Sequence, residues 1–121
     1  MLVSDDPDDH HSFTEAIAKI SEDIVVLIVI DREKAMELLL SKTHLPDFLI
    51  IDISMDGYNL DRFLGSIRGQ VTLSRIPILT YGEPSEYAEI ENRQSLMFFA
   101  NAYEFSKLQN VLRDFLEGRL N

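Results

Sequence analysis

Short apolar runs alternate with amphipathic stretches along the whole chain. The apolar runs are rich in β-branched and aromatic residues and show no strict apolar–polar alternation, which is typical of strands covered on both faces. We predict five strands, the first of them a stub of two residues. They cover residues 2–3, 24–29, 48–51, 77–81 and 95–100.

An amphipathic stretch follows each predicted strand. In each stretch apolar residues recur three or four positions apart, so that they share one face of a helix. The first, third and fifth predicted helices cover residues 8–20, 59–68 and 105–116. The second is predicted to begin at a capping Asp31 and to bury Ala35, Leu38 and Leu39. The fourth, over residues 86–93, is more polar, and Ser85 is its predicted cap.

This order of elements predicts an α/β fold. Five strand–helix units favour a flavodoxin-like (βα)5 doubly wound parallel sheet with strand order 2-1-3-4-5. The chain has 121 residues, so we expect one domain over residues 1–121. In such sheets the functional crevice lies at the carboxyl ends of the strands, where the strand order reverses between strands 1 and 3.

Carboxylates follow both strands that flank this crevice. Asp5 and Asp6 follow the first strand, and Asp52 ends the third. Crowded carboxylates repel one another, and a bound Mg²⁺ relieves that repulsion. A carboxylate can also attack a phosphoryl group, a reaction that needs positioning and charge neutralisation. We therefore expect these three residues to hold Mg²⁺ and Asp52 to act as the nucleophile.

The amino-terminal acids also have a purely structural interpretation. Acidic residues favour the start of a helix, because they cap amide groups and oppose the helix dipole. We expect this role for Asp8 and Asp9, whereas Asp5 precedes Pro7 at the end of a strand.

Charge and composition exclude several classes of function. The formal net charge is −10, which disfavours binding to nucleic acid. There is no cysteine, so disulfides, thiolate metal sites and cysteine nucleophiles are excluded. The longest apolar run, residues 24–30, is too short to cross a bilayer, and no signal peptide is visible. We expect a cytoplasmic protein that binds neither nucleic acid nor membrane.

One stretch carries a specific resemblance. Residues 46–55, PDFLIIDISM, resemble the third strand and phosphorylation site of response-regulator receiver domains of two-component signalling. Further matches lie at residues 3–9, 63–64, 67–68 and 76–79, so the resemblance covers essentially the whole chain. It implies that Asp52 is the phospho-acceptor and Asp5 a metal ligand. It also implies that Ser54 offers its main-chain carbonyl to the metal.

The chain departs from the family in the amino-terminal acids and in the fourth strand. With Pro7 in register, the family's acidic pair falls on Ser4 and Asp5, whereas a shift by one residue restores it as Asp5 and Asp6. The fourth-strand hydroxyl that contacts the phosphoryl group falls on Gly82. Thr80 lies two residues too early and should point into the sheet interior.

The fifth strand departs furthest, because no lysine occupies the position that stabilises the phosphoryl group in the family. In the preferred alignment that position lies near Ala100 and Asn101, and in the other it is Ser106, with Lys107 one residue late. The family's switch aromatic is then Phe98 or Tyr103, depending on the alignment.

The resemblance implies a stand-alone receiver rather than an enzyme. It would take a phosphoryl group on Asp52, with Mg²⁺, from a histidine kinase or a histidine phosphotransfer protein. Signalling would run through protein contacts of the fourth helix, fifth strand and fifth helix with a target that the sequence does not name, and a homodimer through that face is a further expectation.

Two other functions stay open. One is a pseudo-receiver that binds a protein partner without phosphorylation, which Gly82 and the missing lysine favour. The other is a phosphatase resembling haloacid dehalogenases. That family needs a second aspartate two residues after the nucleophile, where this chain has Ser54.

Overall fold

Five parallel strands form the centre of the molecule. A computed structural model describes residues 1–41, 45–55, 59–100, 102 and 104–118. The strands are β1 (Leu2–Val3), β2 (Ile28–Val29), β3 (Leu49–Asp52), β4 (Ile78–Tyr81) and β5 (Leu96–Phe99). They lie in the order β2-β1-β3-β4-β5, and each neighbouring pair is parallel. The predicted flavodoxin-like order, with its reversal between β1 and β3, is confirmed.

Helices cover both faces of this sheet. They are α1 (Pro7–Ile20), α2 (Arg32–Ser41), α3 (Leu60–Arg68), α4 (Pro84–Ala88) and α5 (Phe105–Leu116), with a 3₁₀ turn at Leu73–Arg75. Among the described residues, no helix combines the length and the apolar character needed to cross a membrane. The predicted cap Asp31 is confirmed by a side-chain bond, since it accepts from the amide of Lys34. Asn59 caps α3 in the same way, by accepting from the amide of Arg62.

Two apolar clusters lie on opposite faces of the sheet. One contains Leu2 and Ile50 together with the inner faces of α1 and α5, and the other contains Val3 and Ile51 together with those of α2 and α3. Every residue of β3 and β4 is buried. The expectation that strands without alternation are covered on both faces therefore holds for these two strands.

The second strand is shorter and more exposed than predicted. Residues 24–29 are predicted to form a buried strand, but the strand covers only Ile28–Val29, and of these two only Val29 is buried. Val25 is 90% exposed and Ile30 65% exposed. The reason is that β2 lies at the edge of the sheet and pairs only with β1, which itself has two residues. A ladder cannot extend beyond its partner strand, so the rest of this apolar run lies outside the sheet.

The fourth helix also differs from its prediction. It covers Pro84–Ala88 instead of residues 86–93, with Glu83 at the cap position instead of Ser85. Proline is favoured in the first turn of a helix, which explains the early start. After the helix ends, the carboxylate of Asp61 accepts hydrogen bonds from the amides of Glu91 (2.9 Å) and Asn92 (3.0 Å). These amides bond to α3, so they do not continue α4.

The Asp61→Ala variant should therefore be destabilised by about 1–2 kcal/mol, because the exposed amide of Glu91 and the half-buried amide of Asn92 lose a charged acceptor. Urea unfolding followed by circular dichroism measures this. Asp61→Asn keeps one acceptor oxygen and should lose less. Asp23→Ala, which removes an exposed carboxylate, is the control. Equal stability of Asp61→Ala and the Asp23→Ala control would contradict the assigned role of Asp61.

Candidate functional site

The site is built around the carboxylate of Asp52. This residue ends β3 and is only 8% exposed, although its side chain is charged at neutral pH. The amide of Ser54 donates to Oδ1 of Asp52 at 2.9 Å. Burial raises the pKa of Asp52 to about 6, and the Ser54 bond opposes that shift. The negative charges of Asp9 and Asp5 raise the pKa further, and the positive charge of Arg32 lowers it.

Asp5 and Asp6, the two acidic residues that follow β1, have different roles. Asp5 is exposed, and its effect on the pKa of Asp52 shows that the two carboxylates are close enough to interact. Asp6 caps α1, since its Oδ1 accepts from the amide of Asp8 at 2.9 Å. Asp5 thus acts on Asp52 through its charge, whereas Asp6 has a capping role at the helix start.

Asp9 is a functional candidate that the sequence interpretation missed. It lies in the first turn of α1, as expected, but it is only 6% exposed. Its Oδ2 accepts from the hydroxyl of Tyr81 at 2.9 Å and from Oγ of Ser4 at 3.3 Å. Burial raises the pKa of Asp9, and the Tyr81 bond opposes that shift. Ser4 directly after β1, Asp9 in α1 and Tyr81 in β4 therefore form a buried polar cluster beside Asp52.

Tyr81 belongs to the core as well as to this cluster. Its ring packs against Phe13 with 4.7 Å between ring centroids, and burial raises the pKa of its hydroxyl. A buried tyrosine needs a partner for its hydroxyl, so the sequence does contain a signal that some acceptor lies near the end of β4. It contains no signal that this acceptor is Asp9.

Arg32 is the second group that the sequence interpretation missed. It is the first residue of α2 and only 4% exposed. Its Nη2 donates to the main-chain carbonyls of Asp52 at 3.2 Å and of Ile53 at 3.3 Å. An arginine directly after the capping Asp31 looks like an ordinary surface residue in the sequence. In the structure its guanidinium lies against the carboxyl end of β3.

Gly82 occupies the position where the family carries a hydroxyl. Its φ is +149°, a conformation that favours glycine. A Cβ added here would lie 2.6 Å from Cγ1 of Ile53 and 2.9 Å from Oγ of Ser54. Neighbouring side chains therefore fill the space that a threonine or serine would need. Thr80 is fully buried and donates to the carbonyl of Met97 at 2.7 Å, so its expected orientation into the sheet interior is confirmed.

The preferred alignment predicts the family's lysine position near Ala100 and Asn101. β5 ends at Phe99 and α5 begins at Phe105, so Ala100 directly follows the strand. Asn101 lies outside the described residues. Lys107 is exposed and pairs with Glu104 at 3.1 Å on α5.

Phe98 and Tyr103 are the two candidates for the switch aromatic. Phe98 stacks on Tyr87, with ring centroids 4.2 Å apart and an interplanar angle of 13°. This contact joins β5 to α4. Tyr103 lies outside the described residues.

The available metal donors are few. Among the residues that the structure describes, no three histidine, cysteine, aspartate or glutamate side chains are grouped closely enough to hold a metal. Mg²⁺ commonly binds to one or two carboxylates and keeps several waters. The donor set to consider is therefore Asp5, Asp52 and the main-chain carbonyl of Ser54. The hydroxyl of Ser54 is already engaged, since it donates to Glu86 at 3.1 Å.

Replacing Asp52 by asparagine should stabilise the metal-free protein at pH 8. The pKa of Asp52 is raised from 3.8 to about 6 on folding, so the folded state loses stability as the pH rises through that interval. Above it the penalty is constant. Asparagine avoids the penalty, and the gain should be about 1–2 kcal/mol at pH 8 after allowance for partial solvent screening.

Urea unfolding in EDTA from pH 4 to pH 8 tests this, with Asp23→Asn as the control for removing one exposed charge. The stability gain of Asp52→Asn should shrink towards zero near pH 4. A wild type that is more stable than Asp52→Asn at pH 8 would show that the raised pKa of Asp52 has been misassigned.

Introducing the family's hydroxyl as Gly82→Thr should destabilise the protein by about 2–4 kcal/mol, because it combines backbone strain with crowding against Ile53. Thermal unfolding measures the loss. Gly65→Ala is the matched control, since its Cβ would meet only Nδ2 of Asn92 at 3.8 Å and alanine favours a helix. A Gly82→Thr protein as stable as the wild type would contradict the steric argument.

Comparison with known proteins supports the fold. No protein-family model matches the chain, and a search of curated proteins found no match. Solved structures do match it. The phosphorylated cyanobacterial phytochrome response regulator RcpA has a TM-score of 0.80 at 21% identity, over 99% of this chain and 91% of that one. The Mn²⁺-bound response regulator Rcp1 has a TM-score of 0.76 at 18% identity, over 99% and 94%.

A chemotaxis protein gives the same result. The response regulator CheY4 of Vibrio cholerae has a TM-score of 0.70 at 17% identity, over 94% of each chain. These identities are low, but the matches span nearly the whole length of both proteins in each comparison. The chain therefore has the fold of response-regulator receiver domains, in agreement with the resemblance of residues 46–55.

Proposed function

We propose that this chain is a receiver domain that accepts a phosphoryl group on Asp52 in two-component signalling. The observation that carries the proposal is the position of Asp52. It is a buried carboxylate at the carboxyl end of β3, beside the reversal of strand order, in a chain with the receiver fold. Its raised pKa, about 6, makes it a stronger base than an ordinary aspartate while it is still ionised at neutral pH.

The chemistry is a single displacement at phosphorus. An oxygen of Asp52 forms a bond to the phosphorus of a phosphohistidine or a small phosphoramidate as the P–N bond breaks. The leaving nitrogen keeps the electron pair of that bond and takes up a proton from solvent. The donor protein in this proposal is a histidine kinase or a histidine phosphotransfer protein.

A divalent metal, Mg²⁺ in the first instance, belongs to the proposal. The donor chemistry fits, because Asp5 and Asp52 interact electrostatically and hard oxygen ligands suit this ion. When bound, the ion neutralises charge on the transferred phosphoryl group. Asp6 suits the role less well, since its carboxylate already caps α1. The Mn²⁺-bound structure of the similar regulator Rcp1 supports a divalent site in this fold.

The output surface in this proposal is the face formed by α4, β5 and α5. The stacked rings of Tyr87 in α4 and Phe98 in β5 join the first two of these elements, so a displacement of α4 would alter the packing of Phe98. Contact with a downstream protein, or with a second copy of the chain, would run through this face. The net charge of −10 is unfavourable for contact with nucleic acid or with an anionic membrane.

Specific observations also favour a second candidate, a pseudo-receiver that binds its partner without phosphorylation. Gly82 carries no hydroxyl, and its surroundings leave no room for one. Lys107 pairs with Glu104 on its own helix. Loss of one donor to a developing oxyanion can cost about 100-fold in rate, so phosphorylation would be slow in this case.

Treatment with a small phosphodonor, followed by intact mass measurement, separates the two. We expect the wild type to gain one phosphoryl group when phosphoramidate and Mg²⁺ are present, and not when EDTA replaces Mg²⁺. Asp52→Asn should gain none, and the control Asp23→Asn should behave like the wild type.

Absence of a mass gain in the wild type would reject the phospho-acceptor proposal and favour the pseudo-receiver. A gain that persists in Asp52→Asn would place the phosphoryl group on another residue. Either result would remove Asp52 from the role assigned to it.

A further inference from the structure

A buried positive charge lies beside the proposed phosphorylation site. Arg32 reaches from the start of α2 to the main-chain carbonyls of Asp52 and Ile53, at 3.2 and 3.3 Å. It is 4% exposed, so solvent screens its charge weakly. Its positive charge lowers the pKa of Asp52.

Arg32 approaches Asp52 from the side of the sheet on which β1 lies. β2 and the start of α2 lie on the β1 side of β3, whereas β4 and β5 lie on the other side. The guanidinium therefore approaches Asp52 from the side of Asp5. This is the side on which the carboxylates that could hold a divalent ion meet, and it is opposite to the strand where the family carries its lysine.

The charges around Asp52 at this end of the sheet include a positive one from the chain itself. Among the residues that the structure describes, the charged side chains that shift the pKa of Asp52 are Asp9, Asp5 and Arg32. The residue that directly follows β1 is Ser4, which is fully buried and uncharged. One positive charge from the chain itself thus offsets part of the negative charge that would otherwise attract a divalent cation.

We propose that Arg32 is a positioning residue that acts as an internal cation of the Asp52 site, holding the end of β3 and weakening the site's affinity for divalent metal. The inference rests on the proposed function, since it concerns the same site. Its physical basis is independent, because the contacts of the guanidinium with the main-chain carbonyls of Asp52 and Ile53 belong to the structure itself.

A purely structural role of Arg32 predicts the opposite result from a charge role. If the arginine only braces the loop after β3, its removal should loosen the donors and weaken metal binding. If its charge competes with the metal, a neutral replacement should strengthen binding. Even in a water-like dielectric, which sets a lower limit for a buried charge, one unit charge about 6 Å from a divalent ion changes the affinity on the order of tenfold.

The test is a titration of the full chain with Mn²⁺, with free Mn²⁺ followed by electron paramagnetic resonance. The variants are Arg32→Gln, which keeps a donor for the carbonyls, and Arg32→Met, which keeps the aliphatic length. Arg32→Lys keeps the charge, and Lys107→Gln removes an exposed charge elsewhere. Circular dichroism checks that each variant is folded. If one of the two neutral variants does not fold, the other still tests the effect of removing the charge.

We expect the neutral variants to bind Mn²⁺ on the order of tenfold more tightly than the wild type, with Arg32→Lys and Lys107→Gln close to the wild type. Neutral variants that bind no more tightly than the wild type, including the case in which none binds, would overturn the inference. Weaker binding accompanied by a lower unfolding temperature would assign Arg32 a bracing role only.

Intact mass measurement on the same samples separates this inference from the proposed function. Phosphoryl uptake by the wild type together with equal Mn²⁺ affinities would reject the role of Arg32 and leave Asp52 as the acceptor. No uptake together with tighter binding by Arg32→Gln would reject the acceptor role and leave Arg32 as the internal cation.

Discussion

The parallel register between β1 and β3 decides both how the core packs and where the groups of the site meet. Leu2 pairs with Ile50 and Val3 with Ile51. The first pair faces α1 and α5, and the second pair faces α2 and α3. A slip of one residue would exchange the two faces and bury the wrong side chains. Because the register holds, the chain leaves β1 at Ser4 beside the carboxyl end of β3, where Asp52 stands.

Each acidic side chain near the carboxyl ends of β1 and β3 is stabilised by different hydrogen-bond or charge partners. Asp6 accepts a main-chain amide at the start of α1, and Asp9 accepts two hydroxyls. Asp52 combines the amide of Ser54 with the positive charge of Arg32. Burial of a charged carboxylate is unfavourable unless such partners are present. The remaining penalty appears as the raised pKa of Asp52, which is the property that a nucleophilic carboxylate needs.

The helices and strands that could be predicted are those whose apolar pattern lies within their own residues. β3, β4 and α5 have long apolar runs or a clear helical period, and their positions were predicted to within one residue at each end. The position of Asp52 followed from the run that ends at it. The extent of β2 could not be predicted from its own residues, because the two-residue length of β1 limits the pairing.

The missed residues of the site depend on distances between separate elements. Tyr81 and Asp9 are 72 positions apart in the sequence, and Arg32 lies 20 positions from Asp52. No pattern of spacing within one element contains such a contact. The end of α4 was missed for the same reason, since Asp61 on α3 holds the amides of Glu91 and Asn92.

The surroundings of Gly82 also bear on how such a chain can change over evolutionary time. Ile53 and Ser54 fill the volume beside it, and its backbone conformation suits glycine alone. A codon change that introduces a hydroxyl at this position would meet both obstacles at once. A smaller residue at position 53 and a different path of the backbone at position 82 would have to arise first. A hydroxyl at position 82 is therefore more than a single substitution away from this chain.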